Sequence, residues 1–428
     1  MTAIRPFSAL RYDLDRVDLS KVISPPYDVI AADERGVFFD RDPYNAIRFE
    51  LTRDAADEAT TDYAEIAETL EAWRRKGVLI RDTAPGYYVL KQRFSAPDGQ
   101  LLERVGFFGE LGLEDYDRRI VLPHERTLAG PKADRLKLLR AAGANLSSVF
   151  LLYEDREDVL GQILETAFGS SGEELGHARD EAGVEYALAR LTSPEAMGAV
   201  QEFLAERRCV IADGHHRYET ALEYRRERRQ AAGGTGGAAP FDSTLAYMAN
   251  AYAPGSLLLP IHRVIRGVPA PGDDQWVRGL PGWSHQSLSA AGDAQAVSAL
   301  AVETLSKVDG RAAFVADAAD GRLHLFVRDQ PLGDGLVVRI LEEEVIGSVF
   351  GLGAEEIRAG AVGFPKSAER AARSVREGAG TVALYLNALS PDDVFRVSGA
   401  GEVMPQKSTF FYPKIPTGLV FRVHELPG

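Results

Sequence analysis

Cys209-Val210-Ile211-Ala212-Asp213-Gly214-His215-His216-Arg217 is an apolar run that ends in an Asp-Gly turn and passes at once into polar sequence. A short apolar run closed by a turn signal predicts a buried strand over 209–212. Tyr218, Ala221 and Leu222 then fall on one face of a helix predicted over 215–230. A strand that feeds a helix this abruptly leaves the helix's first N–H groups unpaired at the positive end of its dipole. That end attracts anions before any side chain is counted. His215, His216 and Arg217 add donors there, and a guanidinium can grip phosphate in a fork. Gly214 lets a ligand approach the backbone. Asp213, at the strand's end, could act as a base or hold a metal. It could equally cap the helix, and the two histidines could be ordinary surface residues. Neither plain reading accounts for Asp, His, His and Arg within five positions.

Outward from this stretch, Ser193 is placed to cap a helix reaching about 207, and 149–153 and 183–191 read as strands. A helix is expected from Pro131 to about 142, ahead of Gly143. Toward the N-terminus, the periodicity predicts a helix over 54–76, with strands 87–94 and 101–113 joined by the turn Ala96-Pro97-Asp98-Gly99. Residues 231–240 (AAGGTGGAAP) read as a flexible surface loop. Beyond it, 297–308, 336–350 and 366–377 are predicted helical. Segments 312–317 and 322–328 form a hairpin, 381–387 and 418–423 are strands, and 404–413 is a polar loop flanked by prolines. Strands, helices and hairpins mixed in this way give an α+β fold class, with mixed sheets and packed helices. The expected division is 1–115 as an N-terminal region, 116–265 as the region carrying the chemistry, and 266–428 as a C-terminal region.

Composition narrows the function. The chain has 428 residues, 45% apolar and 26% charged, enough for real cores. A single cysteine, Cys209, excludes a disulfide framework within the chain and suits a reducing compartment. The N-terminus shows no secretory pattern and no apolar run approaches the ~20 residues of a membrane helix, so a cytoplasmic location is expected and no membrane partner. The net charge of −14 argues against a nucleic-acid partner. The densest basic run, Arg225-Arg226-Glu227-Arg228-Arg229, reads as a solvated helix face.

Four further clusters could carry chemistry. His124-Glu125-Arg126-Thr127, after Pro123, brings a His, a carboxylate, a cation and a hydroxyl into one loop. Lys407 and Ser408, within Pro405-Gln406-Lys407-Ser408-Thr409, could grip a phosphate. Pro25-Pro26-Tyr27-Asp28 must be a loop, because two prolines fix the backbone, and Asp28 could face a ligand or bond its own backbone. His262 follows an apolar strand, where a histidine is more often structural. The nucleotide-binding P-loop, the dinucleotide fingerprint, zinc spacings and the serine-hydrolase elbow are all missing from the sequence, and Cys209 lies in a buried strand, a poor place for a nucleophile.

Ser24-Pro25-Pro26-Tyr27-Asp28, Pro123-His124-Glu125-Arg126-Thr127, Ala212 to Tyr218, Leu259-Pro260-Ile261-His262-Arg263 and the 404–413 block, in this order, resemble the signature blocks of the bacterial and archaeal domain-of-unknown-function family numbered 1015. The Asp213–Arg217 block is also similar to the phosphate-handling motif of the ParB/sulfiredoxin superfamily, which includes free serine kinases of the SerK type. That resemblance implies a ParB/sulfiredoxin-like region and a phosphotransferase acting on a small hydroxylated metabolite, with serine or phosphoserine foremost. It implies phosphate binding by Gly214, His215 and Arg217, with Arg126, Thr127, Lys407, Ser408, Asp28 and His262 as further binding candidates. Asp213, Glu125, His124 and His216 are the catalytic candidates, Glu125 standing for the separate carboxylate that activates the substrate hydroxyl. Mg2+ and ATP or ADP are the candidate cofactors, and the partners are a small-molecule substrate and a nucleotide. The alternatives are a phosphoserine phosphatase-like hydrolase and a ParB-like nucleotide-binding regulator. Metal ligands, reaction direction and oligomeric state are left open by the sequence.

Overall fold

The computed structural model of the chain describes residues 2–53, 61–125, 127, 129–169, 172–233 and 238–424. Two compact units emerge: Met1–Leu257 with Val397–Val403 and Phe411–Gly428, and Leu258–Arg396 with Met404–Phe410. The expected three-way division is thereby corrected. A boundary at 115 would cut one sheet in two, because residues 106–112 pair with residues 243–249.

The first unit is organised by nine strands: β1 (Ile4–Arg5), β2 (Tyr87–Ser95), β3 (Leu101–Gly112), β4 (Val121–Leu122), β5 (Val149–Tyr153), β6 (Gly172–Arg179), β7 (Glu185–Leu191), β8 (Cys209–Asp213) and β9 (Ser243–Asn250). Their order is β4-β8-β5-β9-β3-β2-β7-β6, with β1 on β3. The β8–β4 and β9–β5 pairs are parallel and the other pairs antiparallel, so the sheet is mixed. Gly99, at φ +85°, closes the β2–β3 hairpin as the Asp-Gly signal requires.

Five helices matter for the site: α1 (Tyr63–Arg75), α2 (Ala129–Ala142), α3 (Val159–Glu165), α4 (Pro194–Ala205) and α5 (His215–Ala231). Helix α1 starts later than its periodicity suggested. The Asp62 carboxylate caps it by accepting from the N–H groups of Ala64 and Glu65, while 54–60 of the expected helix lie outside the described residues. Leu160 and Leu164 of α3, Val200 and Leu204 of α4, and Tyr218 and Leu222 of α5 close on Val149, Leu151 and Ile211 of the sheet. Truncating one of these, such as Ile211→Ala, removes contacts worth about 2–5 kcal/mol. Of the loop expected over 231–240, residues 234–237 lie outside the described residues.

In the second unit six strands form an antiparallel sheet ordered Trp283–Ser289, Arg322–Pro331, Arg311–Asp317, Val382–Tyr385, Arg263–Ile265, Val362–Gly363. Helices Ala294–Ser306 and Ala368–Arg376 cover it through Val297, Ala301, Leu305, Ala371 and Val375. The helix expected over 336–350 is a short α-helical turn, Val337–Ile340, continued by the wider π-type turns of Leu341–Gly347. Among the described residues no helix is long and apolar enough to cross a membrane.

Candidate functional site

Topology gathers the site. Strand β4 runs parallel to β8, with Val121 beside Cys209 and Leu122 beside Val210. The chain leaving β4 as Pro123-His124-Glu125 therefore emerges at the same sheet edge as Asp213-Gly214-His215. Strand β5 runs antiparallel to β8, so its start, with the Ser148 carbonyl just before it, comes to that edge too. The turn into α5 is made by Gly214 at φ +84°. A Cβ there would stand 3.0 Å from Arg217 Nε and 3.4 Å from the Val149 backbone, so glycine is needed for both conformation and space.

Three charged side chains interlock at this edge. Arg217 donates to the Ser148 carbonyl and, at 3.0 Å, to Asp213 Oδ2. Lys414 Nζ donates to the other carboxylate oxygen, Oδ1, at 2.8 Å. Asp213 and Lys414 side chains are each 16% exposed and that of Arg217 11%, so the cluster is shielded enough for its charges to act strongly. Burial alone would raise the Asp213 carboxyl, but Lys414 and Arg217 outweigh it and hold the group well below the usual carboxylate range. A carboxylate held this acidic, with both oxygens engaged by cations, is a poor proton acceptor at neutral pH.

Two histidines complete the centre. The backbone N–H of His124 donates to His215 Nε2 at 3.3 Å, and the rings meet edge to face at 4.6 Å. His124 Nδ1 lies against the Ile211 carbonyl, which fixes the proton on Nδ1 and leaves Nε2 as an acceptor, 3.8 Å from Glu125 Oε1. Burial pushes the pKa of His124 down, against the pull of Glu125. Burial, then the neighbouring His124, pushes that of His215 well below its ordinary value. Both rings are therefore neutral at pH 7.

Around this centre the other sequence candidates divide. His216 is half-buried, and burial lowers its pKa while Glu219 and Asp28 oppose the shift. Arg217 also lies in the field of Asp28. Thr127 Oγ1 donates to Glu219 Oε2 at 2.7 Å, beside Lys132 Nζ at 2.9 Å from the same oxygen. The N-terminal loop is tied in place by reciprocal backbone bonds between Ser24 and Thr417 and by Arg135, whose guanidinium covers the Tyr27 ring at 4.0 Å and pairs with Glu50 at 2.6 Å. Arg126 lies outside the described residues. Lys407, Ser408 and His262 belong to the second unit. Ser408 Oγ donates to the Pro405 carbonyl at 2.6 Å, and His262 is buried with its Nδ1 accepting from the Leu386 N–H at 3.3 Å. Burial and then Arg263 push His262 down to about 4, as a structural histidine should be.

Lys414 was not read from the sequence. Its segment is fixed by fully buried Arg104, which bonds Gln92 Oε1 and the carbonyls of Tyr412 and Pro413, while Gln92 donates to the Lys414 carbonyl at 3.3 Å. The only local signal was Pro413-Lys414-Ile415-Pro416, a lysine held in rigid backbone. A cavity of about 730 Å³ opens beside α5, lined by Tyr116, Lys132, Leu136, Glu219 and Glu223 among others. Within the basic run on α5, Arg225 and Arg226 pair with Asp115, and Arg229 pairs with Asp242. Among the described residues no three His, Cys, Asp or Glu side chains gather to hold a metal ion.

The chain belongs to the family described as "Protein of unknown function (DUF1015)", whose model matches residues 4–281. No curated protein matches it in sequence. It is similar in structure to a conserved hypothetical protein from Pyrococcus furiosus, at 15% identity over 74% of this chain and 95% of that one, with a TM-score of 0.33. A free serine kinase variant in complex with ADP aligns at 14% identity over 73% of this chain and 92% of that one, with a TM-score of 0.35. SbnI with a C-terminal truncation, from Staphylococcus aureus, aligns at 11% identity over 73% and 86%, with a TM-score of 0.33.

Proposed function

We propose that the chain is a phosphotransferase acting on a small hydroxylated metabolite, with free serine as the first substrate to test and a nucleotide, ATP or ADP, as donor. The observation that carries the reading is the Asp213–Arg217–Lys414 cluster at the start of α5. It holds two cations at a helix N-terminus through one shared carboxylate, where a phosphoryl group would find a guanidinium, an ammonium and backbone N–H groups already oriented. Phosphoryl transfer depends mainly on such positioning and charge neutralisation.

In this reading Arg217, Lys414 and His215 hold the transferred group, and Gly214 keeps the approach to the backbone open. Asp213 is a positioning residue that fixes both cations. Glu125 accepts the substrate hydroxyl proton as the new O–P bond forms and the donor's P–O bond breaks. His124 stands beside Glu125, its Nε2 3.8 Å from Oε1, while Asp28, His216 and Thr127 line the substrate side. Magnesium commonly enters such sites through one or two carboxylates and the phosphates themselves. Asp213 is already engaged by two cations, Arg217 and Lys414.

The test is a panel of phosphate donors and hydroxylated amino acids read by mass spectrometry, with Arg217→Lys and Arg228→Lys at matched folding. An ammonium cannot reproduce the planar pair of donors. Arg217→Lys should therefore cost roughly 2–4 kcal/mol, or about 30- to 1000-fold in turnover. Arg228, whose guanidinium lies over Tyr224 and Phe241, should tolerate lysine. Unchanged turnover in Arg217→Lys would remove the main support for the phosphate reading.

A further inference from the structure

The cavity of about 730 Å³ beside α5 has walls of two kinds. It lies between α2 and α5, which run side by side in the same direction. Lys132 pairs with Glu219 near their starts, and Arg140 with Glu227 about two turns further on. The turn Tyr116–Arg118 borders it. Asp115, Asp117, Glu223 and Arg226 form its more open rim, where Arg226 pairs with both Asp115 and Glu223. The rest of the wall is largely apolar: Leu222 is buried, and Leu136 and the Tyr116 ring are half-buried. The Tyr116 ring is stacked on that of Tyr218 at 5.7 Å, which holds this wall in place.

The polar wall is the Lys132–Glu219 pair, and its bonding capacity is only partly used. Thr127 Oγ1 at 2.7 Å and Lys132 Nζ at 2.9 Å both donate to one oxygen, Glu219 Oε2. Among the described residues nothing donates to Glu219 Oε1, and the other N–H groups of the Lys132 ammonium have no acceptor. The Tyr116 hydroxyl is buried and has no hydrogen-bond partner among the described residues. Burial, then Glu219, raise its pKa, so it keeps its proton and remains a donor. An open carboxylate oxygen beside two open donors is the complement of a zwitterion, whose ammonium meets the carboxylate and whose carboxylate meets the donors. An ion of one sign alone would satisfy half of this pair and be repelled by the other half. Leu136, Leu222 and the Tyr116 ring offer contact to an apolar body, in a cavity of the size that metabolites fill.

We infer that this cavity binds an α-amino acid with an apolar side chain. Its ammonium sits on Glu219 Oε1, its carboxylate on Lys132 and the Tyr116 hydroxyl, and its side chain against Leu136 and Leu222. Glu219 lies one helical turn, about 6 Å, beyond His215 on α5. The site therefore adjoins the Asp213 cluster, but Asp213, Arg217 and Lys414 are not among its lining residues. The inference concerns binding alone and does not rest on the phosphotransferase reading.

Titration calorimetry of the full chain at pH 7 tests it, with L-phenylalanine as the probe. Three comparison ligands should each bind at least about 10-fold more weakly. They are 2-phenylethylamine, which lacks the carboxylate, 3-phenylpropionate, which lacks the ammonium, and L-serine, which lacks the apolar body. Glu219→Gln and Lys132→Met should each weaken L-phenylalanine binding by a similar factor, and Tyr116→Phe should weaken it several-fold, with folding checked by thermal melt. The ligand comparison uses the unaltered chain, so it stands even where a variant fails to fold. Binding of 2-phenylethylamine or 3-phenylpropionate as tight as that of L-phenylalanine would overturn the zwitterion assignment. L-serine binding as tightly would overturn the apolar one. No measurable binding of L-phenylalanine, or unchanged affinity in the folded charge variants, would overturn the site itself.

Discussion

Removing Lys414 gives the sharpest test of how the site is held. At 2.8 Å, the Lys414–Asp213 attraction at an effective dielectric of about 20 is about 6 kcal/mol before desolvation is subtracted. Breaking a buried pair from one side usually costs about 3–5 kcal/mol, because a charge is left uncompensated. Here Arg217 remains on the other carboxylate oxygen at 3.0 Å, so the loss in Lys414→Met should fall near 2–3 kcal/mol. A double-mutant cycle with Asp213→Asn isolates the pairwise coupling, measured by denaturant unfolding at pH 7. The sign of its pH dependence follows from the depressed Asp213 carboxyl. A depressed carboxylate contributes stability that is complete above its unfolded pKa of about 3.9 and is lost as pH falls through the lower folded value. The gap between wild type and Lys414→Met should therefore be constant from pH 7 to about 5 and narrow in stronger acid. A coupling below about 0.5 kcal/mol at pH 7 would refute the argument, since neighbours with no real interaction add to within that margin.

Further outcomes follow from the same geometry. Gly214→Ala should destabilise by about 1–2 kcal/mol from its left-handed backbone alone. It should also lower turnover by displacing Arg217, visible as a reduced melting temperature together with reduced product formation. Burial, then Arg422 and Arg228, push His424 down to about 3. A base whose folded pKa is depressed takes up its proton mainly on unfolding, so stability falls as pH drops below the unfolded value of about 6.5. At pH 5 this amounts to about 2 kcal/mol, and His424→Gln should remove that share of the acid loss. An unchanged pH slope in the variant would contradict the half-buried, neutral histidine.

Some of this architecture was legible and some was not, for definable reasons. The strand–turn–helix at 209–231 carried its own signals: an apolar run, an Asp-Gly turn and a periodic inner face. The neighbouring strand Ser243–Asn250 escaped notice, although it lies in the middle of the sheet. All eight of its residues are buried, so no alternation marks it. Gly172–Arg179 was missed for the opposite reason: it is a polar strand at the sheet's end, with little buried surface to give it a pattern. The meeting of His124 with His215 depends on a parallel pairing only two residues long, too short to have any period. Lys414 was hidden because its position is set by Arg104 and Gln92, more than 300 residues earlier. The lysine chosen from the sequence, Lys407, stood in a more polar stretch, but polarity in a loop says nothing of where the backbone is anchored.

The pattern of charge ties these placements to chemistry. Asp213, Arg217 and Lys414 together carry one net positive charge in a shielded setting. Protonating either central histidine would add a second, which is why Lys414 opposes proton uptake by both His124 and His215. A phosphoryl group bearing two negative charges would reverse that balance. Its arrival would offset the excess positive charge and raise the proton affinity of both rings. Asp213 has no such role to play, because its two cations keep it ionised in either state. In the phosphotransferase reading, proton acceptance falls to Glu125, whose Oε1 lies 3.8 Å from His124 Nε2. On this logic Glu125→Gln should abolish product formation while leaving phosphate binding intact, whereas Asp213→Asn should weaken both.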